Sequence, residues 1–110
     1  MMENFGLAEK SLKILYGILK NYPEVSDVKV YGSRAKGVYS ERSDLDLVIM
    51  NDITRKTFGE IWMEINSSDF PLTVDLQVWK DIKNENLKDH ILRVGKVFYK
   101  ADKKEISLGK

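Results

Sequence analysis

The stretch "YGSRAKGVYSERSDLDLVIM", residues 31–50, decides how the rest of the chain is read. Its second half is a strand pattern interrupted by two acids: Asp44 and Asp46 stand among Leu45, Leu47, Val48, Ile49 and Met50. Aspartate is a poor strand former, and burying its charge without a partner is costly. Strand side chains alternate between faces. Asp44 and Asp46 therefore point the same way, about 6.6 Å apart along the strand, while Leu45, Leu47 and Ile49 take the other face. The first half reads as a glycine turn. Gly32 permits a positive φ and a close backbone approach, Ser33 adds a hydroxyl, and Arg34, Lys36 and Arg42 bring positive charge.

Working outward, "DVKVYG" (27–32) is a strand ending at that glycine, and "LTVDLQVW" (72–79) is a third strand with clear alternation. In the third strand Val74, Leu76 and Val78 share one face, and Asp75 and Gln77 the other. Helical spacing recurs over residues 7–22 through Leu7, Ala8, Leu12, Leu15, Leu19 and Tyr22, until Pro23 stops it. Phe58, Ile61, Trp62 and Ile65 predict a second helix, which opens either on a Thr57–Glu60 capping box or a turn earlier at Thr54. "NENLKDHILRVG" (84–95) predicts another, capped by Asn84 and closed by Gly95. "KVFYK" (96–100) adds a last edge strand, and the tail "ADKKEISLGK" (101–110) reads as frayed and solvated.

This order predicts an α+β fold of layered α/β character, a mixed β-sheet packed against helices, in one domain over residues 1–110. Only about ten residues separate the first two strands, too few for a parallel crossover, so that pair is expected to be antiparallel. A chain of 110 residues buries roughly two-thirds of its unfolded surface and needs no staple to fold. Zero cysteines exclude disulfides and thiolate metal sites. Net charge is +1, so nothing argues for bulk nucleic-acid binding or a membrane surface. Apolar runs are far too short for a membrane span, and early charges at Glu3, Glu9 and Lys10 do not form a secretory signal. A cytoplasmic location is the default expectation.

If the second and third strands are neighbours, Asp44, Asp46 and Asp75 converge. At about 4 Å and an effective dielectric of about 20, each like-charged pair costs about 4 kcal/mol. Raised pKa values relieve that repulsion; so does a hard divalent cation, and acids without a nearby histidine favour the cation. Magnesium suits the set, because it accepts a few carboxylates, keeps waters and recruits phosphate oxygens. A sheet with one solvated face would show the same alternation without any ion. The turn before the acids adds weight to the cation: amides after Gly32, especially at the start of a helical turn, present donors to an anion. A triphosphate held between those amides and carboxylate-bound magnesium would satisfy both halves.

At this point the sequence resembles the minimal nucleotidyltransferases of the DNA polymerase beta superfamily. The resemblance is carried by "YGSRAKG" (31–37), "SDLDLVI" (43–49) and the acid of "TVDLQVW" (73–79), and spans most of residues 10–100. It implies the nucleotidyltransferase fold and transfer of a nucleoside monophosphate, AMP by expectation, from ATP or another NTP to a hydroxyl. Asp44, Asp46 and Asp75 would be catalytic and bind one or two Mg²⁺ ions, with Asp75 helping to deprotonate the hydroxyl. Gly32, Ser33, Arg34 and Lys36 would bind the nucleotide. The family commonly has arginine where Lys36 stands, and lysine cannot make the bidentate fork. Relatives of this size are often antitoxins paired with a four-helix HEPN protein, and some attach AMP to a tyrosine of that partner. The resemblance therefore implies a HEPN-type partner. The competing expectation is a non-catalytic antitoxin that neutralises its partner by complex formation, and a homo-oligomer is also open.

Other residues have plainer expectations. His90, the one histidine, is expected to be structural, exposed or half-buried on its helix. Trp62 is expected in the core. Gln77 and Trp79 share Asp75's face, open to lining a pocket or to ordinary packing. Tyr39 and Arg42 lie in the loop before the acids.

Overall fold

The computed structural model describes residues 4–101; the tail expected to fray lies, from residue 102 on, outside the described residues. In chain order the elements are α1 (Glu9–Lys20), β1 (Asp27–Tyr31), α2 (Gly32–Lys36), β2 (Leu45–Ile49), α3 (Arg55–Ser67), β3 (Val74–Val78), a 3₁₀ turn (Trp79–Asp81), α4 (Glu85–Val94) and β4 (Lys96–Lys100). The strands form one four-stranded sheet in the order β3-β2-β1-β4. β1 is antiparallel to both β2 and β4, whereas β2 and β3 run parallel. The mixed sheet expected from the sequence is therefore present. α3 supplies the crossover that a parallel pair requires, and the short β1–β2 connection joins the antiparallel pair.

The two sheet faces are unequal. Leu45, Leu47, Ile49, Val74, Leu76, Val78, Val28 and Val30 join α1 and α3 in the main core, where Leu15, Leu19, Ile61 and Ile65 meet them. The opposite face carries a smaller apolar cluster of Tyr31, Val48, Ile82 and Ile91, flanked by Met50, Trp79, Leu87 and Val94. α4 therefore covers part of the face that bears the acids, so these do not stand on a uniformly solvated surface.

Local chemistry explains the helix ends. α3 opens on Thr54, whose hydroxyl oxygen accepts from the Thr57 amide at 3.1 Å. Glu24 braces the same turn, accepting from the Thr54 amide at 3.1 Å and the Thr57 hydroxyl at 2.6 Å. The earlier of the two expected openings is the one used, and Thr57 is buried one turn inside. α4 opens on Asn84, whose side chain accepts from the amides of Asn86 and Leu87 at 2.9 and 3.2 Å. One core assignment needs correction: Trp62 is 46% exposed. The apolar stripe of α3 is centred on Ile61 and Ile65; Trp62 sits about 100° around the helix from Ile61 and falls on its solvent flank.

Candidate active site

The sheet register assembles the site. β2 and β3 pair with Asp46 opposite Asp75, and β1 and β2 pair with Tyr31 opposite Asp46. Partners in register point to the same face, so Tyr31, Asp46 and Asp75 lie side by side across three strands. Asp44 stands one residue before β2. Asp44 and Asp75 are exposed, whereas Asp46 is half-buried at the border of the small apolar cluster.

The electrostatics follow from this placement. Burial, then Asp75, then Asp44 push the Asp46 carboxyl up to about 6 from its ordinary 3.8. Burial, together with Asp75 and Asp46, holds the Tyr31 phenol above its usual range. Both shifts come first from burial and then from the negative charge of the neighbouring carboxylates. Gln77 partly answers it, its amide donating to an Asp75 oxygen at 3.3 Å. Trp79 instead packs on the small cluster, with the Lys88 ammonium 5.4 Å from its ring centroid.

The glycine turn lies against the same carboxylate. Gly32 has φ +74°, in the region that favours glycine, and opens the short helix α2. A Cβ at this position would collide with the Asp46 carboxylate oxygen. Gly32→Ala is therefore expected to lose about 1–2 kcal/mol from backbone strain alone. Displacement of Asp46 adds to that loss. Urea melts of the two proteins check it, and an unchanged midpoint would mean that the turn has another conformation. Ser33 is half-buried beside Gly32, and Lys36 is exposed at the end of α2.

Arg34, expected at the nucleotide, is buried and turns its guanidinium to backbone carbonyls. It is 1% exposed. Its guanidinium donates to the carbonyls of Ser43 at 3.0 Å, Phe5 at 2.9 Å, Ser40 at 3.3 Å and Glu41 at 3.1 Å. Tyr39 lies over it, 4.9 Å from its ring centroid. Arg34 thus clamps the loop leading into Asp44 to the N-terminal segment. His90, expected to be structural, accepts the Gly32 amide at Nε2, 3.2 Å away.

A metal is tested by the donor set. Among the described residues, no group of three or more Asp, Glu or His side chains is placed to hold an ion as it stands. Yet Asp46 interacts with both Asp75 and Asp44, and each raises its pKa. The carboxylates of Asp44, Asp46 and Asp75 are hard oxygen donors carrying surplus negative charge, the chemistry that suits a hard divalent cation. A groove of about 550 Å³, running past Leu76, Gln77 and Val78 to Asp81, includes none of the three acids. The carboxylate shelf is defined by strand register instead.

No helix among the described residues is long and apolar enough to cross a membrane. No curated protein matches the chain. Solved structures share its fold. One is a toxin–antitoxin with AMP-PNP, at 17% identity and TM-score 0.63, covering 84% of this chain and 76% of that one. Another is the toxin–antitoxin MntA-HepT, at 15% identity and TM-score 0.58, covering 92% and 79%. A third is a tri-AMPylated HEPN toxin from Shewanella oneidensis in complex with its MNT antitoxin, at 16% identity and TM-score 0.59, covering 91% and 77%. The family model for polymerase beta nucleotidyltransferases matches residues 13–104, so the chain that sets Asp46 beside Asp75 belongs to that nucleotidyltransferase family.

Proposed function

We propose that this chain is a magnesium-dependent nucleotidyltransferase that transfers AMP from ATP to a hydroxyl, a tyrosine of a HEPN-type partner, breaking the bond between the α- and β-phosphates and releasing pyrophosphate, as the antitoxin of a toxin–antitoxin pair in the cytoplasm. The observation that carries the reading is the in-register pairing of Asp46 with Asp75 against the Gly32 turn. Family membership supports the reaction class. AMP-PNP in one structure of the same fold and an AMPylated HEPN toxin in another support the nucleotide and the acceptor.

Each side chain then has a part. Asp46 and Asp75, joined by Asp44, hold the cation. When bound, magnesium supplies neutralisation of charge on the phosphoryl group and a lower pKa for the attacking hydroxyl. Asp75, exposed at the start of β3, would take the proton of that hydroxyl. Gly32 and Ser33 receive the triphosphate, with Lys36 as a point charge beside them. The protein's contribution is mainly orientation and fixed electrostatics.

The test is transfer of label from α-labelled ATP, with magnesium, to a co-encoded helical partner. Asp75→Asn or Asp44→Asn is expected to cut transfer about a hundredfold or more. No transfer to any co-encoded partner would overturn the proposal. A second reading, neutralisation by covering the partner, draws on the apolar surface that Trp62 and Met63 expose on α3. If Asp44→Asn with Asp46→Asn still neutralises the partner, occlusion suffices and transfer is dispensable.

A further inference from the structure

The lone histidine reaches the site from the far end of the chain. His90 is half-buried on α4 beside fully buried Ile91, which anchors that turn of the helix in the small apolar cluster. Its Nε2 accepts the Gly32 amide at 3.2 Å, a bond that spans 58 residues. Its ring also meets Tyr31 edge-on, with centroids 6.1 Å apart and planes at 81°. An imidazole that accepts at Nε2 is neutral and carries its proton on Nδ1.

Gly32 is thus held from two directions. Its amide is taken by His90, and its Cα lies so close to Asp46 that no side chain fits between them. The plane of the Tyr31–Gly32 peptide sets the direction in which the chain enters the turn carrying Ser33. Left to itself, a glycine at φ +74° has no side chain to resist rotation. α4 supplies the resistance through one acceptor.

We propose that His90 is a positioning residue of the nucleotide site: by accepting the Gly32 amide it fixes the turn that receives the triphosphate. The inference rests on the nucleotidyltransferase reading above. It assigns His90 no contact with the reacting atoms.

Two substitutions separate the acceptor from the ring. His90→Phe keeps an aromatic ring against Tyr31 and loses the acceptor; His90→Gln keeps an acceptor and loses the ring. With Mg-ATP as the probe and no acceptor protein present, His90→Phe is expected to raise the Kd about five- to tenfold, the scale of one lost neutral hydrogen bond. In the transfer assay its loss should fall on KM for ATP more than on kcat. His90→Gln should recover most of the affinity. A merely packing role predicts the reverse order, with phenylalanine the better replacement, and that result overturns the inference. Equal affinity of wild type and His90→Phe does so as well. Wild type that binds no Mg-ATP overturns the parent reading and this one together, so the two failures are distinguishable. If His90→Phe does not fold, ¹⁵N spectra of the wild-type imidazole decide: the Nδ1-protonated tautomer supports the bond, and the Nε2-protonated tautomer removes it.

Discussion

Arg34→Met is expected to lose about 3 kcal/mol of stability, because a buried cation that satisfies several carbonyls leaves them without donors when it goes. For a domain of about 100 residues this corresponds to a fall in Tm on the order of 15 °C. The guanidinium bridges two segments, Phe5 on one side and Ser40, Glu41 and Ser43 on the other. Phe5 itself has φ +56°, uncommon for a bulky residue, so the donor on its carbonyl helps to keep a strained backbone in place. Arg34→Lys should recover only part of the loss, since an ammonium has fewer donors and no planar fork. Lys36→Ala, on the exposed end of the same helix, should change stability by no more than about 0.5 kcal/mol. Urea melts of the three variants check the ranking. Should Arg34→Met melt like wild type while losing affinity for Mg-ATP, the guanidinium acts on the ligand and the clamp is secondary.

The contrast between Arg34 and the acids shows which features of a chain can be read directly. Strand alternation is an exact period of two, so Leu45, Leu47 and Ile49 facing one way oblige Asp46 to face the other, and the same holds for Asp75 among Val74, Leu76 and Val78. The short gap after β1 and the helix between β2 and β3 then make the mixed sheet, and the register sets the two acids together. α2 has only five residues. Such a helix carries no periodicity from which to tell inward from outward, and its Arg34 looks in sequence like any cation of a glycine turn. Its orientation depends on carbonyls of Phe5 and of the loop 40–43, which local pattern does not encode. His90 escapes for a related reason: its partner is 58 residues away, and its helix face merely looks amphipathic. Trp62 fails differently. It matches an i, i+4 spacing from Phe58, but a stripe has a centre and flanks, and only packing against α1 and the sheet decides which flank is covered.

Asp46→Asn should remove transfer activity and, in metal-free buffer near pH 7.5, make the protein more stable than wild type. The carboxyl of Asp46 is pushed up to about 6 from 3.8 by burial, Asp75 and Asp44, in that order. A folded-state pKa above the unfolded value means that the native chain holds this proton to higher pH than the unfolded chain does. Asp46 therefore costs no stability below about pH 4, costs progressively more as pH rises from about 4 to 6, and exerts its full penalty above about 6. Asparagine keeps nearly the same shape and carries none of that penalty. Discounted for partial solvent exposure, the gain at neutral pH is about 1–2 kcal/mol, and each kcal/mol raises Tm by about 4–8 °C in a domain of this size. The advantage of the variant should shrink as pH is lowered and vanish near pH 4. Millimolar magnesium should close the gap at neutral pH from the wild-type side, because a cation that binds only the native carboxylates stabilises only the protein that has them. Melting curves over pH 4–8, with and without magnesium, measure all of this in one series. A wild-type Tm equal to that of Asp46→Asn at every pH would mean that no charge is stored at Asp46, and the physical reason for placing a cation among the three acids would be gone.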